Sequence, residues 1–124
     1  MNNETILNAF IKAVQNRDVT EVGKLIAENI IFENMPEQQA IHGRQAVLEK
    51  IADFFAQASR IQWQIERKIS FDNTVILERK NHICFQGKDI ILPVVSVIEF
   101  QNDKVSLLRD YFDALTFNNQ YNAS

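Results

Sequence analysis

At 124 residues with a formal net charge of −3, 46% apolar and 10% aromatic residues, the chain has the size of one domain and the material for one real core. Lysines and arginines are scattered among carboxylates rather than gathered into a stripe, which argues against a nucleic-acid partner. Cys84 is the only cysteine and His42 and His82 are the only histidines, so an internal disulfide is excluded and neither a metal site nor a cofactor motif is expected.

The opening segment MNNETILNAF lacks the basic and apolar regions of a signal peptide, and no run approaches the ~18 apolar residues of a membrane span. The expectation is a cytoplasmic protein that does not engage the membrane. Ile6, Leu7, Phe10, Ile11 and Val14 recur at helical spacing, with Asn3 or Thr5 as cap. Asp18 caps a shorter helix whose apolar face is Val19, Val22, Leu25 and Ile26, with Gly23 weakening it.

Ile30 to Asn34 then reads as a short strand ended by Pro36, followed by a polar loop to Gly43. Val47, Ile51, Phe54, Phe55 and Ala58 mark a third helix. Ile61, Trp63, Ile65, Ile69 and Phe71 alternate with polar residues, the period of a strand with one face on the core. Turns at Asp72-Asn73, Gly87 and Asn102-Asp103 divide the remainder into a four-strand meander. The predicted fold class is α+β, a curved, mostly antiparallel sheet with three helices from the first half of the chain on its concave face. Residues 1–117 form the domain, and 118–124 read as a loose tail.

Two strands break the apolar pattern. Val75, Leu77, Arg79, Asn81, Ile83 and Phe85 share one face of their strand, and Leu108, Asp110 and Phe112 share one face of the last. A buried guanidinium costs several kcal/mol, by order of magnitude, unless an anion compensates it, so Arg79 and Asp110 are inferred to pair. Phe32 and Asn34 project together from the short strand, which places Asn34 at the mouth of the same space. Periodicity leaves two readings open: a structural ion pair, or a small-molecule pocket with Phe32, Leu77, Ile83, Leu108 and Phe112 as its apolar wall.

Asn34-Met35-Pro36, Gly43-Arg44, Glu78-Arg79 and the run Arg109-Asp110-Tyr111-Phe112-Asp113 resemble the limonene-1,2-epoxide hydrolase family in order and spacing, from Thr5 to Phe117. The resemblance implies a cone-shaped barrel of the nuclear-transport-factor-2-like, SnoaL-like type, and a one-step addition of water to a small apolar epoxide without metal or cofactor. It implies Asp110 as base, Asn34 as the amide that positions the water, and Arg79 as the guanidinium between two carboxylates. Asn81 stands where the family's acid is expected and Phe32 where its water-binding Tyr is expected, so the implied triad is incomplete. An amide donates a hydrogen bond but delivers no proton, which brings in two alternatives. One is an isomerase or cyclase of the same fold, and the other is a small-molecule-binding protein without chemistry.

Ile90 to Ile98 is apolar on both faces, Ile91, Val95 and Val97 on one side and Ile90, Leu92, Val94 and Ile98 on the other. A strand of this kind needs cover on the outer face of the sheet. A second copy of the chain is the expected cover, making a homodimer, which the resemblance also implies.

Overall fold

The computed structural model describes residues 2–123. In chain order the elements are α1 (Asn3–Gln15), α2 (Val19–Leu25), β1 (Ile26–Asn34), a single 3-10 turn (Met35–Glu37), β2 (Gln39–His42), α3 (Arg44–Gln57), β3 (Ala58–Phe71), β4 (Thr74–Phe85), β5 (Lys88–Gln101), β6 (Lys104–Tyr111) and α4 (Ala114–Tyr121). Among the described residues no helix is long and apolar enough to cross a membrane.

The cap of α1 is Asn2 rather than the expected Asn3 or Thr5; its Oδ1 accepts from the Thr5 amide at 2.9 Å. Ile6, Leu7, Phe10 and Val14 are buried on the face that periodicity assigned to them. Phe10 is fully enclosed and meets Trp63 edge to face at 6.3 Å. Phe10→Ala is therefore expected to lower unfolding free energy by about 3–5 kcal/mol in urea titrations, against less than about 0.5 kcal/mol for the exposed Asn8→Ala.

Asp18 caps α2 as anticipated, accepting from the Glu21 amide at 3.1 Å. Gly23 is more than a weakness in that helix. A Cβ there would lie 3.2 Å from Leu48 Cδ1, so the missing side chain lets α2 approach α3.

The six strands form one sheet in the order β2-β1-β6-β5-β4-β3. The expected meander is β3 to β6, all antiparallel, and β1 joins it as a parallel neighbour of β6. Two differences enlarge the sheet: β1 begins at Ile26 rather than Ile30, and the polar loop before Gly43 contains β2. Gln39 to His42 lack an apolar alternation, and their pairing with β1 is made by backbone groups. The sheet is curved but stays open between β2 and β3, so the expected barrel is not closed.

β3 also departs from its simple alternation. Ile65 pairs with Arg79 while Arg67 pairs with Glu78, so one extra residue bulges between them. Beyond the bulge Ile69 and Phe71 turn outward, 54% and 75% exposed, although the period-two pattern placed them on the core.

The final helix corrects the expectation of a loose tail from residue 118. β6 pairs with β5 only from Val95 onward, which leaves the backbone of Ile91 open on that side. Gln120 of α4 completes it, accepting from the Ile91 amide and donating to the Ile91 carbonyl, both at 2.7 Å. Phe117 and Tyr121 pack over Ile90, Leu92 and Val94. The polar run Asn118-Asn119-Gln120 is therefore held by Gln120, which imitates a strand neighbour, between the packed rings of Phe117 and Tyr121; Ser124 lies outside the described residues.

Asp113 caps α4, accepting from the Thr116 hydroxyl at 2.8 Å and the Leu115 amide at 3.2 Å. The Thr116 hydroxyl first, and then the Leu115 amide, hold this carboxyl below its ordinary 3.8. A carboxyl lowered by folding contributes stability that is complete above that ordinary value and is lost as pH falls through the lowered one. NMR shifts of the Phe117 and Tyr121 rings should thus report fraying of α4 only below about pH 3.8, and Asp113→Asn should remove that titration. An unchanged titration in the variant would exclude the cap as its source.

Candidate functional site

Arg79 projects from the middle of β4 into the concave side of the sheet and is 2% exposed. Its guanidinium lies on the face of Trp63, 3.7 Å from the ring centroid, an arrangement that attracts a desolvated cation. Nη1 donates to the Ser96 hydroxyl, and Nη2 stands 3.8 Å from Asp110 Oδ2. The Ser96 hydroxyl in turn donates to Asp110 Oδ1 at 2.5 Å. Burial pushes the Arg79 guanidinium below its ordinary pKa, and the Asp110 carboxylate opposes that shift. The inferred Arg79–Asp110 pair exists, with a serine spanning half of it.

The register of the sheet explains the convergence. Ser96 is the pairing partner of Asp110 in the β5–β6 ladder, and Asn34 is the partner of Asp110 in the parallel β1–β6 ladder. Neighbouring strands in register present their side chains to the same face, so residues distant in sequence become adjacent. Asn34, Arg79, Asn81 and Asp110 line one cavity of about 370 Å³. The side chain of Asp110 is 14% exposed, so its carboxylate is held but accessible.

Of the expected apolar wall, Phe32, Ile83, Leu108 and Phe112 line this cavity. Leu77 does not: along β4 the cavity ends at Arg79, and the preceding inward position is fully enclosed in the core beside Val75. The rest of the wall is aromatic, with Phe54 and Phe55 from α3, Trp63 from β3, Phe85 from β4 and Phe117 from α4. The exposed Glu37, Lys50 and Asp53 also border it.

Ser96 and Trp63 were not among the expected site residues. Ser96 carries a readable signal, since it is the one hydroxyl in the inward stripe Leu92, Val94, Ser96, Ile98. Trp63 carries none, because an inward Trp in a strand reads as core.

Among the described residues, two buried side-chain atoms have no hydrogen-bond partner: Arg79 Nε and Asn81 Oδ1. No carboxylate from a neighbouring position takes the place of the expected acid. Glu33 faces away and pairs with Arg109 at 2.7 Å, and His82 contacts Gln64 at 2.9 Å on the opposite face of β4 from Asn81. Among the described residues no group of three or more His, Cys, Asp or Glu side chains is placed to hold a metal ion.

Comparison with known proteins gives these features a context. Epoxide hydrolase EphG of Mycobacterium tuberculosis (strain ATCC 25618 / H37Rv) is 24% identical over 111 residues, covering 86% of this chain and 70% of that protein. The solved structure of an M. tuberculosis LEH-like epoxide hydrolase superposes with a TM-score of 0.82 at 22% identity, over 94% of this chain and 83% of that one. A candidate SnoaL-like polyketide cyclase from Shewanella denitrificans OS-217 superposes with a TM-score of 0.87 at 17% identity, over 98% and 97% of the two chains. At these identities the two structures speak to the fold, which is of the nuclear-transport-factor-2-like, SnoaL-like type. The decisive comparison is with a family model, that of the limonene-1,2-epoxide hydrolase catalytic domain, which matches residues 1–122. With the match spanning nearly its whole length, the chain belongs to the limonene-1,2-epoxide hydrolase family.

Proposed function

We propose that the protein adds water to a small apolar epoxide, with Asp110 as general base. The observation that carries this reading is an accessible Asp110 carboxylate, braced by buried Ser96 and Arg79, on the wall of an aromatic cavity in a chain of this family. A cavity of about 370 Å³ suits a small ligand, and its apolar wall favours one without charge.

Water sits between Asp110 and Asn34, whose strands are in register. As the water oxygen bonds to an epoxide carbon, its proton passes to Asp110 and the carbon–oxygen bond of the ring breaks. The released oxygen accepts a hydrogen bond from the Asn81 amide and takes a proton from solvent, and Asp110 gives its own proton up to solvent, which restores the base. Arg79 keeps the Asp110 carboxylate oriented. Phe32 supplies no hydrogen bond to the water, so Asn34 and Asp110 hold it alone.

Asn81 supports a second reading. A carboxylate base facing an amide donor is also an arrangement for shuttling a proton alpha to a carbonyl, with Asn81 stabilising an enolate-like oxygen. The fold shared with a candidate polyketide cyclase is consistent with it.

Assays of the purified protein against a panel of small apolar epoxides in ¹⁸O-labelled water separate these readings. Diol carrying one labelled oxygen is the expected product. Isomerisation of enones without diol would favour the second reading, and ligand binding with neither reaction would make the pocket a binding site.

The outer face of the sheet presents Ile76, Ile91, Val95 and Tyr111 to solvent, each 38% exposed or more. We read it as the seat of a second copy of the chain, which would supply the cover that β5 needs. A single Cys84 agrees with a reducing, cytoplasmic location.

A further inference from the structure

Ser96 is completely buried and lies outside the family motifs, yet it touches both charged groups of the site. It occupies an inward position of β5 directly between Leu77 on β4 and Asp110 on β6. Its single hydroxyl proton goes to Asp110 Oδ1, and its oxygen receives Nη1 of Arg79. The two charged groups do not hydrogen-bond directly, since Nη2 and Oδ2 are 3.8 Å apart.

We infer that Ser96 is the positioning residue of the site: it engages Oδ1 of Asp110 and thereby assigns Oδ2 as the oxygen that takes the proton from water. This rests on the epoxide-hydrolase reading for its chemistry but not for its geometry. A carboxylate with both oxygens free can rotate about its terminal torsion, which has a broad and roughly two-fold profile. A hydroxyl donor on one oxygen removes that freedom and leaves the other oxygen facing Nη2 of Arg79. The same hydroxyl also satisfies one of the Arg79 nitrogens, in a guanidinium whose Nε is already without a partner.

A hydrogen bond to a charged group that is lost in the reacting arrangement corresponds to roughly 10- to 100-fold in rate. The test compares wild type, Ser96→Ala and Ser96→Thr, well below their unfolding midpoints. Alanine leaves the packing nearly intact and removes only the hydroxyl. The expected result is a kcat about 10- to 100-fold lower in Ser96→Ala with KM within about twofold, and substantial recovery in Ser96→Thr, which restores the hydroxyl. A kcat unchanged in Ser96→Ala, or a loss carried by KM alone, overturns the assignment.

A second measurement needs no substrate. The side-chain Nη protons of Arg79, observed by NMR, should exchange with solvent at least about tenfold faster in Ser96→Ala, because one of them loses its acceptor. Exchange as slow as in wild type overturns the assignment even if the rate falls. Accelerated exchange in a protein that hydrolyses no epoxide would instead retire the hydrolase reading and leave the Arg79–Ser96–Asp110 relay standing.

Discussion

Replacing Asn81 by aspartate should raise epoxide turnover by about 10²- to 10⁴-fold, the range that a positioned general acid typically supplies. Asn81 lines the cavity from β4 two residues beyond Arg79, on the same face of the strand. An amide there donates a hydrogen bond to the departing oxygen but holds no proton to give. A carboxyl has the same shape and can be protonated, and the neighbouring Asp110 carboxylate would favour that neutral form, since like charges in one site do not readily ionise together. The gain should therefore shrink as pH rises and the new acid ionises. Initial rates of diol formation across a pH series check both the gain and its slope. Adding Phe32→Tyr supplies a further donor for the water and should increase the rate again. If neither variant forms diol faster than wild type, Asn81 does not occupy the place of the acid.

Removing Asp110 should have the opposite and equally large effect. Asp110→Asn keeps the size of the side chain and abolishes its basicity, so turnover should fall by at least about 10²-fold while the protein remains folded. Asp110→Ala goes further. Both substitutions leave Arg79, 2% exposed, without its anion, a loss of about 3–5 kcal/mol for a buried ion pair, but only alanine also removes the oxygen that accepts from the Ser96 hydroxyl. The aromatic face of Trp63 and the Ser96 hydroxyl compensate only part of that charge. Denaturation midpoints should accordingly fall for both variants, and further for Asp110→Ala than for Asp110→Asn, while both lose activity. Undiminished diol formation in Asp110→Asn would remove Asp110 from the role of base.

Much of this arrangement is legible in the amino-acid order. Helices α1 to α3 and the meander β3 to β6 follow from apolar spacing, because 3.6- and 2-residue periods survive in any sequence with one buried face. Arg79 is conspicuous for the same reason: a charge in an apolar stripe needs a partner, and Asp110 is the charge in the inward stripe of β6. The elements that escaped are those held by backbone groups or by a few side chains. β2 pairs through its main chain, and α4 is docked by Gln120 on the open edge at Ile91 with two flanking rings, Phe117 and Tyr121. Neither leaves a periodic trace. The bulge between Ile65 and Arg67 is invisible in composition, yet it reverses the facing of Ile69 and Phe71.

Burial patterns therefore specified the layers of this protein and the polarity of its pocket, since the cost of burying charge is written residue by residue. Which polar groups meet is a different matter. Asn34, Ser96 and Asp110 become neighbours because β1, β6 and β5 are aligned in one register, and register is set by the packing of the whole sheet against its helices. The Arg79–Asp110 pair could be inferred from charge alone. The serine that joins its two members, and the 3.8 Å that separates them, are consequences of three-dimensional alignment.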